Sequence, residues 1–256
     1  MPFAETNGLR YYQFESLNTR HAVFTRHGGA SPKPWGSLNV GGTVGDDLDR
    51  VRKNRQLSFR ALDRAPESIF DVWQVHSADV VCAKAPRPEG ESVRQADVIL
   101  TDKPEVSLFM RFADCVPILA HDPRKGVVGV AHAGWMGTLR GVAGSLVNAM
   151  KTNYNSNPAD IVACIGPSIG PDHYEIGADV ILQVMQKFGD DSEMVLRSVN
   201  GKIHFDLWKT NRILLEQAGV QHIEVAGICT ACHTDDWFSH RAEKGRTGRF
   251  GALIAL

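Results

Sequence analysis

The chain has 256 residues, of which 43% are hydrophobic and 22% are charged, and its formal net charge at pH 7 is −1. This composition is typical of a globular protein with a sizeable core, and the near-neutral charge predicts no general attraction to nucleic acid or to an anionic membrane surface. The sequence has neither an apolar run of roughly 18 residues nor an N-terminal signal peptide, so we expect a cytoplasmic protein with reduced cysteines.

Strand-like segments come in runs along the chain. The predicted strands are residues 22–25, 69–75, 80–83, 98–100, 106–112, 116–121, 126–132, 161–165, 223–228 and 250–256. Apolar periodicity, and for the first helix an acidic first turn, predict helices over about 46–62, 139–150, 181–188 and 207–215. Because strands do not alternate strictly with helices, the sequence predicts the α+β class, with a mixed or antiparallel sheet core and outer helices. No Pro-, Gly- or Ser-rich break divides the chain, so we interpret residues 1–256 as one domain.

Two histidines and one cysteine are the strongest indication of a functional site. His76, Cys115 and His132 offer two imidazoles and one thiolate, which are ligands that zinc prefers. A catalytic zinc keeps one coordination position open beside three protein ligands, so these three residues suffice. The alternative is a buried thiol beside two core histidines, which is the better interpretation of any one of these residues alone. The combination favours a catalytic zinc site.

A predicted hairpin brings two of these ligands together. Residues 116–121 and 126–132 read as antiparallel strands, and residues 122–125 form a good turn between them. If the last residue of the first strand pairs with the first residue of the second, Cys115 lies opposite His132. Directly opposed residues have Cβ atoms roughly 4.5–5.5 Å apart, so both side chains could reach one metal ion.

A second cysteine pair lies near the C-terminus. Cys229, Cys232 and His233 form the Cys-x-x-Cys-His pattern of a c-type haem attachment site. Haem attachment normally accompanies export, for which we see no signal. A zinc site or a redox pair would use the same residues, but no second Cys-x-x-Cys completes a structural zinc site. We interpret Cys229 and Cys232 as free thiols without haem.

Polar residues outside the metal ligands are candidates for substrate binding. Arg26 and Arg246 are candidate anion ligands, and Arg26 is followed by His27. Asn39 offers donor and acceptor groups suited to a ribose or to a base edge. The alternatives are a turn residue for Asn39 and solvated or packing roles for the arginines. We predict a pocket in which His27 and Asn39 converge with the three metal ligands.

Taken together, the motifs resemble those of the polyphenol oxidase or laccase-domain family, which is also described as purine nucleoside phosphorylases and peptidoglycan editing factors. The matching motifs are TRHGGAS (25–31), SLN (37–39), VGDD (44–47), QVH (74–76), ADC (113–115), AHAGW (131–135), GPSIG (166–170), YE (174–175), CT (229–230), FSHR (238–241) and TGR (247–249). The resemblance runs from about residue 21 to the C-terminus.

The resemblance implies a compact α/β sandwich with mixed sheets, zinc held by His76, Cys115 and His132, and a cytoplasmic location. It implies phosphorolysis of adenosine, inosine, guanosine and methylthioadenosine, together with deamination of adenosine. The partners would then be a purine nucleoside and phosphate. Whether the chain also forms a homo-oligomer is left open by the resemblance. Copper-dependent oxidation of phenols is an older assignment of the family, so Cu(2+) is the alternative cofactor.

One position departs from the family pattern. The pattern reads His-Ala-Gly-Trp-Arg-Gly, and Met136 stands here in place of the Arg. If that Arg binds an anion in the family, another cation must do so in this chain. Arg140, Arg26 and Arg246 are the candidates for that role.

Three classes of function use these residues. In a zinc enzyme of purine nucleosides, Asp114 is our candidate for proton transfer or for orienting the site, and its alternative role is to cap local backbone. In a cysteine hydrolase that edits a peptidoglycan precursor, Cys115 is the nucleophile and His132 or His76 is the base. A binding protein would hold a nucleoside without turnover. A multi-copper oxidase is the weaker interpretation, because its sites need clustered histidine pairs and the ten histidines here are scattered.

Overall fold

A computed structural model describes residues 2–256, and within them the chain forms five α-helices and fourteen strands. The strands are β1 (Phe3–Thr6), β2 (Leu9–Tyr12), β3 (Arg20–Phe24), β4 (Ile69–Phe70), β5 (Val80–Cys82), β6 (Val98–Thr101), β7 (Ser107–Phe112), β8 (Val116–Asp122), β9 (Val127–Ala133), β10 (Val162–Ile165), β11 (Leu196–Val199), β12 (Lys202–Phe205), β13 (His222–Val225) and β14 (Phe250–Ala255). The helices are α1 (Leu48–Arg60), α2 (Trp135–Leu139), α3 (Val142–Tyr154), α4 (Ala178–Phe188) and α5 (Leu207–Gln217). None of these helices is long and apolar enough for a membrane span.

Two six-stranded sheets make up most of the fold. The first has the order β1-β2-β3-β14-β7-β4 and the second the order β13-β10-β8-β9-β6-β5, while β11 and β12 form a separate pair. Most neighbours are antiparallel, but the pairs β4–β7, β5–β6 and β10–β13 are parallel. The sheets are therefore mixed, and the predicted α+β class is confirmed.

The alternation of side chains along the central strands explains the layering. In β9, Val128 and Val130 belong to the apolar cluster shared by both sheets, whereas Val127 and Ala131 pack on the opposite side, in the cluster that includes α3 and α5. In β7, Phe109 packs away from the other sheet, in the cluster that includes α1 residues. Because side chains alternate with a period of two, each central strand buries both faces. The result is two packed sheets with helices outside.

Several predicted boundaries were wrong. The strand predicted over 69–75 is a strand only at Ile69–Phe70, followed by an isolated bridge from Trp73 to Gln95, and the chain then turns through His76, whose φ is 58°. The helix predicted over 139–150 is interrupted at Gly141, whose φ of 85° ends α2 and begins α3. Four strands, β1, β2, β11 and β12, were not predicted at all.

The hairpin register differs from the prediction by two residues. Asp122 pairs with Val127, and Pro117, not Cys115, lies opposite His132. The Asp122 side chain accepts hydrogen bonds from two backbone N–H groups of the turn, and Gly126 adopts a φ of 61° inside it. This turn chemistry holds residues 123–126 as the loop. A shift of two residues leaves each side chain on the same face of the sheet. Cys115 and His132 therefore still face the same side, as predicted.

Candidate metal centre

His76, Cys115 and His132 lie together at one end of the sandwich. One ligand atom from each lies within 4.8 Å of the others, and the distance from Cys115 Sγ to His76 Nε2 is 3.9 Å. His132 is near the end of β9, Cys115 immediately precedes β8, and His76 lies in the loop after β4. Their burial is graded, with His132 buried, Cys115 half-buried and His76 exposed. A ligand could therefore approach from the His76 side.

A buried carboxylate that the sequence analysis missed orders this cluster. Asp97 has no exposed surface, and its Oδ1 lies 2.7 Å from His132 Nδ1. Its Oδ2 accepts hydrogen bonds from the backbone N–H groups of Ser77, at 2.6 Å, and of Val75, at 3.1 Å. Asp97 thus holds His132 and the segment on both sides of His76. Because its Nδ1 faces this carboxylate, His132 presents Nε2 to the cluster, as metal-bound histidines commonly do.

The three residues of the cluster and Asp97 also set the charge of the site. Burial alone would raise the pKa of the Cys115 thiol, but His132 and His76 lower that pKa to about 6. Burial alone would lower the pKa of His132, but Cys115 and Asp97 raise it to about 9. Between these values a thiolate faces an imidazolium in the absence of metal. A thiolate is the form of cysteine that binds metals and acts as a nucleophile.

We expect Cys115 to be the fastest-reacting cysteine in metal-free protein. At pH 7 it is mostly thiolate, whereas burial raises the pKa of Cys164 to about 12. The rate of alkylation by iodoacetamide should rise as the pH passes about 6 and level off above it, and added zinc should protect the thiol. Peptide mapping after brief exposure measures this rate, with Cys164 as the internal control. Reaction that begins only above pH 8 would contradict the charge assignment.

Gly134 provides the space in which the ligands meet. A Cβ at this position would lie 2.8 Å from His76 Cδ2 and 3.0 Å from Cys115 Sγ, although the backbone φ of −68° suits any residue. Two ligands from distant segments therefore converge against a bare backbone. The donor set, the ordered His132 and this cradle all fit a bound metal ion.

Gly134→Ala should accordingly lower zinc affinity by about tenfold or more, because the added methyl group displaces two ligands at once. The matched control is Gly144→Ala in α3, where a Cβ meets nothing within 4 Å. The control should bind zinc normally and be as stable as the parent, or slightly more so. Competition titration with a chromophoric chelator compares the two. Equal zinc affinity in both variants would remove Gly134 from the site.

The Asp114 carboxylate is fully engaged by its surroundings. Oδ1 accepts a hydrogen bond from Thr230 Oγ1 and Oδ2 accepts one from the Arg241 backbone N–H, each at 2.7 Å. The residue is buried, and its backbone carbonyl accepts the N–H of Ile169. The two donors lie 116 and 127 residues away in the chain, so this is not the predicted capping of local backbone. These contacts fix the segment before Cys115, and a part of Asp114 in proton transfer stays a prediction.

Asn39 and Arg26, two predicted substrate ligands, bond to groups inside the protein. Asn39 has no exposed surface, and its amide group bonds to Gly41, to Asp46 and to the backbone N–H of Arg249. Arg26 lies over the Phe238 ring and bonds to several backbone carbonyls and to Glu243. The polar groups of Asn39 and Arg26 thus have partners inside the protein, and their contact with a substrate stays a prediction.

His27 and Arg246 remain exposed. His27 Nε2 lies 3.0 Å from Asp236 Oδ1 and is 47% exposed as a side chain. Neither residue forms a hydrogen bond with any of the three metal-ligand candidates within residues 2–256. Both residues therefore lie at the surface, and their contact with a substrate stays a prediction.

Three further residues interact with the cluster, namely Arg249 and Tyr174, which sequence reasoning did not select, and Arg140, which it named as a candidate cation. Burial lowers the pKa of Arg249, and the charges on Cys115 and Asp114 oppose that shift, so this guanidinium lies within their field. Burial raises the pKa of Tyr174, and the same two charges add to the shift. Arg140 donates from Nη1 to the His76 carbonyl at 2.8 Å. The TGR and YE motifs contained Arg249 and Tyr174, but motif membership did not reveal their orientation.

Comparison with known proteins extends over nearly the whole chain. A protein named purine nucleoside phosphorylase YlmD, from Geobacillus stearothermophilus, is 39% identical over 239 residues, which are 90% of this chain and 87% of that protein. A purine nucleoside phosphorylase from Bacteroides thetaiotaomicron is 33% identical over 265 residues, covering 98% of each chain. The crystal structure of the Bacillus licheniformis hypothetical protein YfiH superimposes with a TM-score of 0.92 at 33% identity, covering 100% of this chain and 99% of that one.

The family model described as multi-copper polyphenol oxidoreductase laccase matches residues 20–256. This range includes all three residues of the cluster and the carboxylate that orders it. With this match and relatives above 30% identity along most of its length, the chain belongs to the multi-copper polyphenol oxidoreductase laccase family.

Proposed function

We propose that this protein is a zinc-dependent enzyme of purine nucleosides, which releases the base by phosphorolysis and also deaminates adenosine. The convergence of His76, Cys115 and His132 on one point carries this proposal. The purine nucleoside phosphorylase names of the relatives indicate the substrate class. The metal, the individual nucleosides and the deamination are parts of the proposal.

Zinc suits the donor set because it binds imidazole and thiolate and leaves a catalytic position open beside three ligands. When bound there, zinc would act as a Lewis acid and lower the pKa of water toward about 7. His76, Cys115 and His132 would hold it. Asp97 would orient His132, and Asp114 would fix the segment that carries Cys115.

Phosphorolysis also requires a cation for the phosphate, because a dianion must approach the sugar. Arg249 is our first candidate, since it is partly buried and the charges on Cys115 and Asp114 act on it. Arg140 is the second, through its bond to the His76 carbonyl. Arg246 stays a candidate as an exposed cation on the segment before Arg249. Because Arg249 is partly buried, the effective dielectric constant around it is lower than in water, so its attraction for phosphate should be stronger.

The proposal is tested with protein of measured metal content, incubated with adenosine, inosine, guanosine and methylthioadenosine, with and without phosphate. Mass spectrometry of the products should show free base and ribose 1-phosphate (5-methylthioribose 1-phosphate from methylthioadenosine) only when phosphate is present. Adenosine should give inosine without phosphate. Chelation should abolish both activities and zinc should restore them. Fully zinc-loaded protein that turns over none of the four would refute the proposal.

Met136→Arg should shift the activity balance toward phosphorolysis. Met136 is half-buried in a groove between α2 and α4 that also contains Arg140, and an Arg would add a positive charge and a bidentate donor. One charge-assisted contact is worth roughly 1.5–3 kcal/mol, or about ten- to a hundredfold in phosphate affinity. Base release from inosine and conversion of adenosine are measured in parallel. Met185→Arg, at an exposed position of α4, is the matched control. An unchanged ratio in Met136→Arg shows that this position does not contact phosphate.

A cysteine hydrolase is the second candidate, because Asp97, His132 and Cys115 are connected in the order of a catalytic triad. Asp97 Oδ1 lies 2.7 Å from His132 Nδ1, and His132 is the main group that lowers the pKa of Cys115. Such a triad needs no His76, whereas the zinc site does. His76→Ala protein that hydrolyses a peptidoglycan precursor as fast as the parent, without metal, would favour the hydrolase.

Copper is the second candidate metal, since two histidines and a cysteine also bind copper in electron-transfer sites. Within residues 2–256, only one candidate cluster contains two histidines, whereas a multi-copper oxidase needs further copper sites. Metal analysis of protein purified without added metal decides between zinc and copper.

A further inference from the structure

A second group of metal-binding side chains lies outside the site described above. Asp172, His173, Cys229 and Cys232 each place a ligand atom within 4.8 Å of the others. The cysteines are the pair in the Cys-x-x-Cys-His pattern, and they are free thiols. A four-ligand zinc site needs two further ligands beside this cysteine pair. The structure places Asp172 and His173 there, from the loop after β10. His233, the histidine of the pattern itself, is not in the cluster.

Four of the six distances among these ligand atoms are close to the edges of a tetrahedron around one ion, and the shortest lies about 0.2 Å below the range that zinc gives. His173 Nδ1 lies 3.1 Å from Asp172 Oδ2, 3.4 Å from Cys232 Sγ and 3.8 Å from Cys229 Sγ. Cys232 Sγ lies 3.8 Å from Asp172 Oδ2. Zinc bonds of about 2.0–2.3 Å at tetrahedral angles give ligand separations of about 3.3–3.8 Å.

Hydrogen bonding alone does not account for this arrangement. Three polar atoms surround His173 Nδ1, but a ring nitrogen can offer only one proton or one lone pair. A cation at the centre would interact with all four groups at once. Two thiolates, an imidazole and a carboxylate are ligands that zinc accepts, and they make four.

The backbone around the cluster is also arranged for close approach. The Gly170 N–H donates to Cys229 Sγ at 3.2 Å, which would stabilise a thiolate. A Cβ at Gly170 would lie 3.0 Å from Cys229 Cβ and 2.8 Å from Asp172 Oδ1. Only glycine therefore lets the two loops meet at this distance.

We propose that Asp172, His173, Cys229 and Cys232 form a second zinc site, which is closed by four protein ligands and is structural. The two loops that it joins also hold Asp114, because Thr230 Oγ1 donates to its carboxylate and Ile169 N–H to its carbonyl. Asp114 precedes Cys115 directly. Zinc at the second site would thus brace the segment that positions a ligand of the first, without taking part in the chemistry.

The test is zinc stoichiometry after chelation, zinc reloading under reducing conditions, and dialysis. The parent should bind two zinc ions per chain, Cys115→Ser one, Cys232→Ser one, and the double variant none. His173→Gln should behave like Cys232→Ser, whereas His233→Gln, an exposed histidine next to Cys232, is the matched control and should bind two. Cys232 and His173 are both exposed, so these variants should fold normally, which circular dichroism checks.

A second measurement uses the Cys115→Ser background, in which the first site is disabled. There zinc at a hundredfold excess over its dissociation constant should raise the melting temperature by roughly 5–10 °C. Cobalt should give a thiolate charge-transfer band, and adding Cys232→Ser should remove both effects. A folded Cys115→Ser protein that binds no zinc, or a Cys229–Cys232 disulfide that persists under reducing conditions, would overturn the second site. If the first site does not bind zinc, Cys115→Ser and the parent should instead have the same zinc content.

Discussion

Cys115→Ser is expected to lose zinc from the first site almost completely, together with nucleoside turnover. A serine hydroxyl stays neutral at pH 7, whereas Cys115 has a pKa of about 6 and supplies a thiolate. The loss in affinity should exceed the roughly 10–100-fold effect that removal of an outer-shell partner has on a metal site. Competition titration against a chelator measures it.

Cys82→Ser is the matched control for this substitution, because Cys82 lies in β5 and belongs to neither cysteine cluster. It should bind zinc as tightly as the parent. A Cys115→Ser protein with parental zinc affinity and parental turnover would show that Cys115 neither binds the metal nor takes part in the reaction.

Asp97→Asn is expected to weaken both zinc binding and folding. The amide keeps the size of the side chain but loses its charge. Its NH2 group must replace one of the two oxygens that accept hydrogen bonds, so two donors would face each other there. Zinc affinity should fall about 10–100-fold, because His132 loses its orienting partner. The free energy of unfolding should fall by about 3–5 kcal/mol, since a buried charged contact and several hydrogen bonds are broken. Urea denaturation of metal-free protein gives the second value.

The pH dependence of stability should change as well. Burial alone would raise the pKa of Asp97, but its hydrogen bonds from His132, Ser77 and Val75 hold it below the ordinary value of 3.8. A carboxylate with a lowered folded pKa stabilises the protein above its unfolded pKa and loses that contribution as the pH falls through the folded value. The parent should therefore lose stability below about pH 4 more steeply than Asp97→Asn.

Asp102→Asn serves as the control, because Asp102 is 37% exposed and pairs only with exposed Lys103. This substitution should change stability by no more than about 1 kcal/mol. Equal effects of the two substitutions would show that Asp97 does not organise the site.

The convergence of His76, Cys115 and His132 was predictable because their chemistry is specific and because two of them flank one hairpin. The predicted register was wrong by two residues, because the side chain of Asp122 and the positive φ of Gly126 fix the loop at residues 123–126. The error did no harm to the site only because side chains repeat with a period of two. An error of one residue would have separated Cys115 from His132.

Two missed hairpins did have a signal in the sequence. Asn7-Gly8 joins β1 to β2 and Asn200-Gly201 joins β11 to β12, and all four residues have positive φ. Asn-Gly between short strands is the strongest local indication of a tight hairpin turn. These four strands were therefore predictable from turn chemistry, although their short length hides the alternation of apolar residues.

Asp97 could not be predicted in the same way. It lies 35 residues from His132 in the chain, and nothing local distinguishes it from other aspartates at strand ends. Asn39 shows a second limit of sequence reasoning, because its place inside a shared motif does not reveal which groups its amide contacts. Its amide bonds to Asp46 and to the Arg249 backbone inside the protein. Both cases depend on tertiary contacts that sequence spacing does not encode.

The central claim is that His76, Cys115 and His132 bind one metal ion, and anomalous diffraction from crystals of zinc-loaded protein tests it most directly. The prediction is an anomalous peak at the zinc edge, about 2.0–2.1 Å from an imidazole nitrogen of each histidine and about 2.3 Å from Cys115 Sγ. Data collected below the edge should lack this peak, which identifies the element. A well-ordered site without a peak, in which the Cys115 side chain points away from both histidines, would contradict the account.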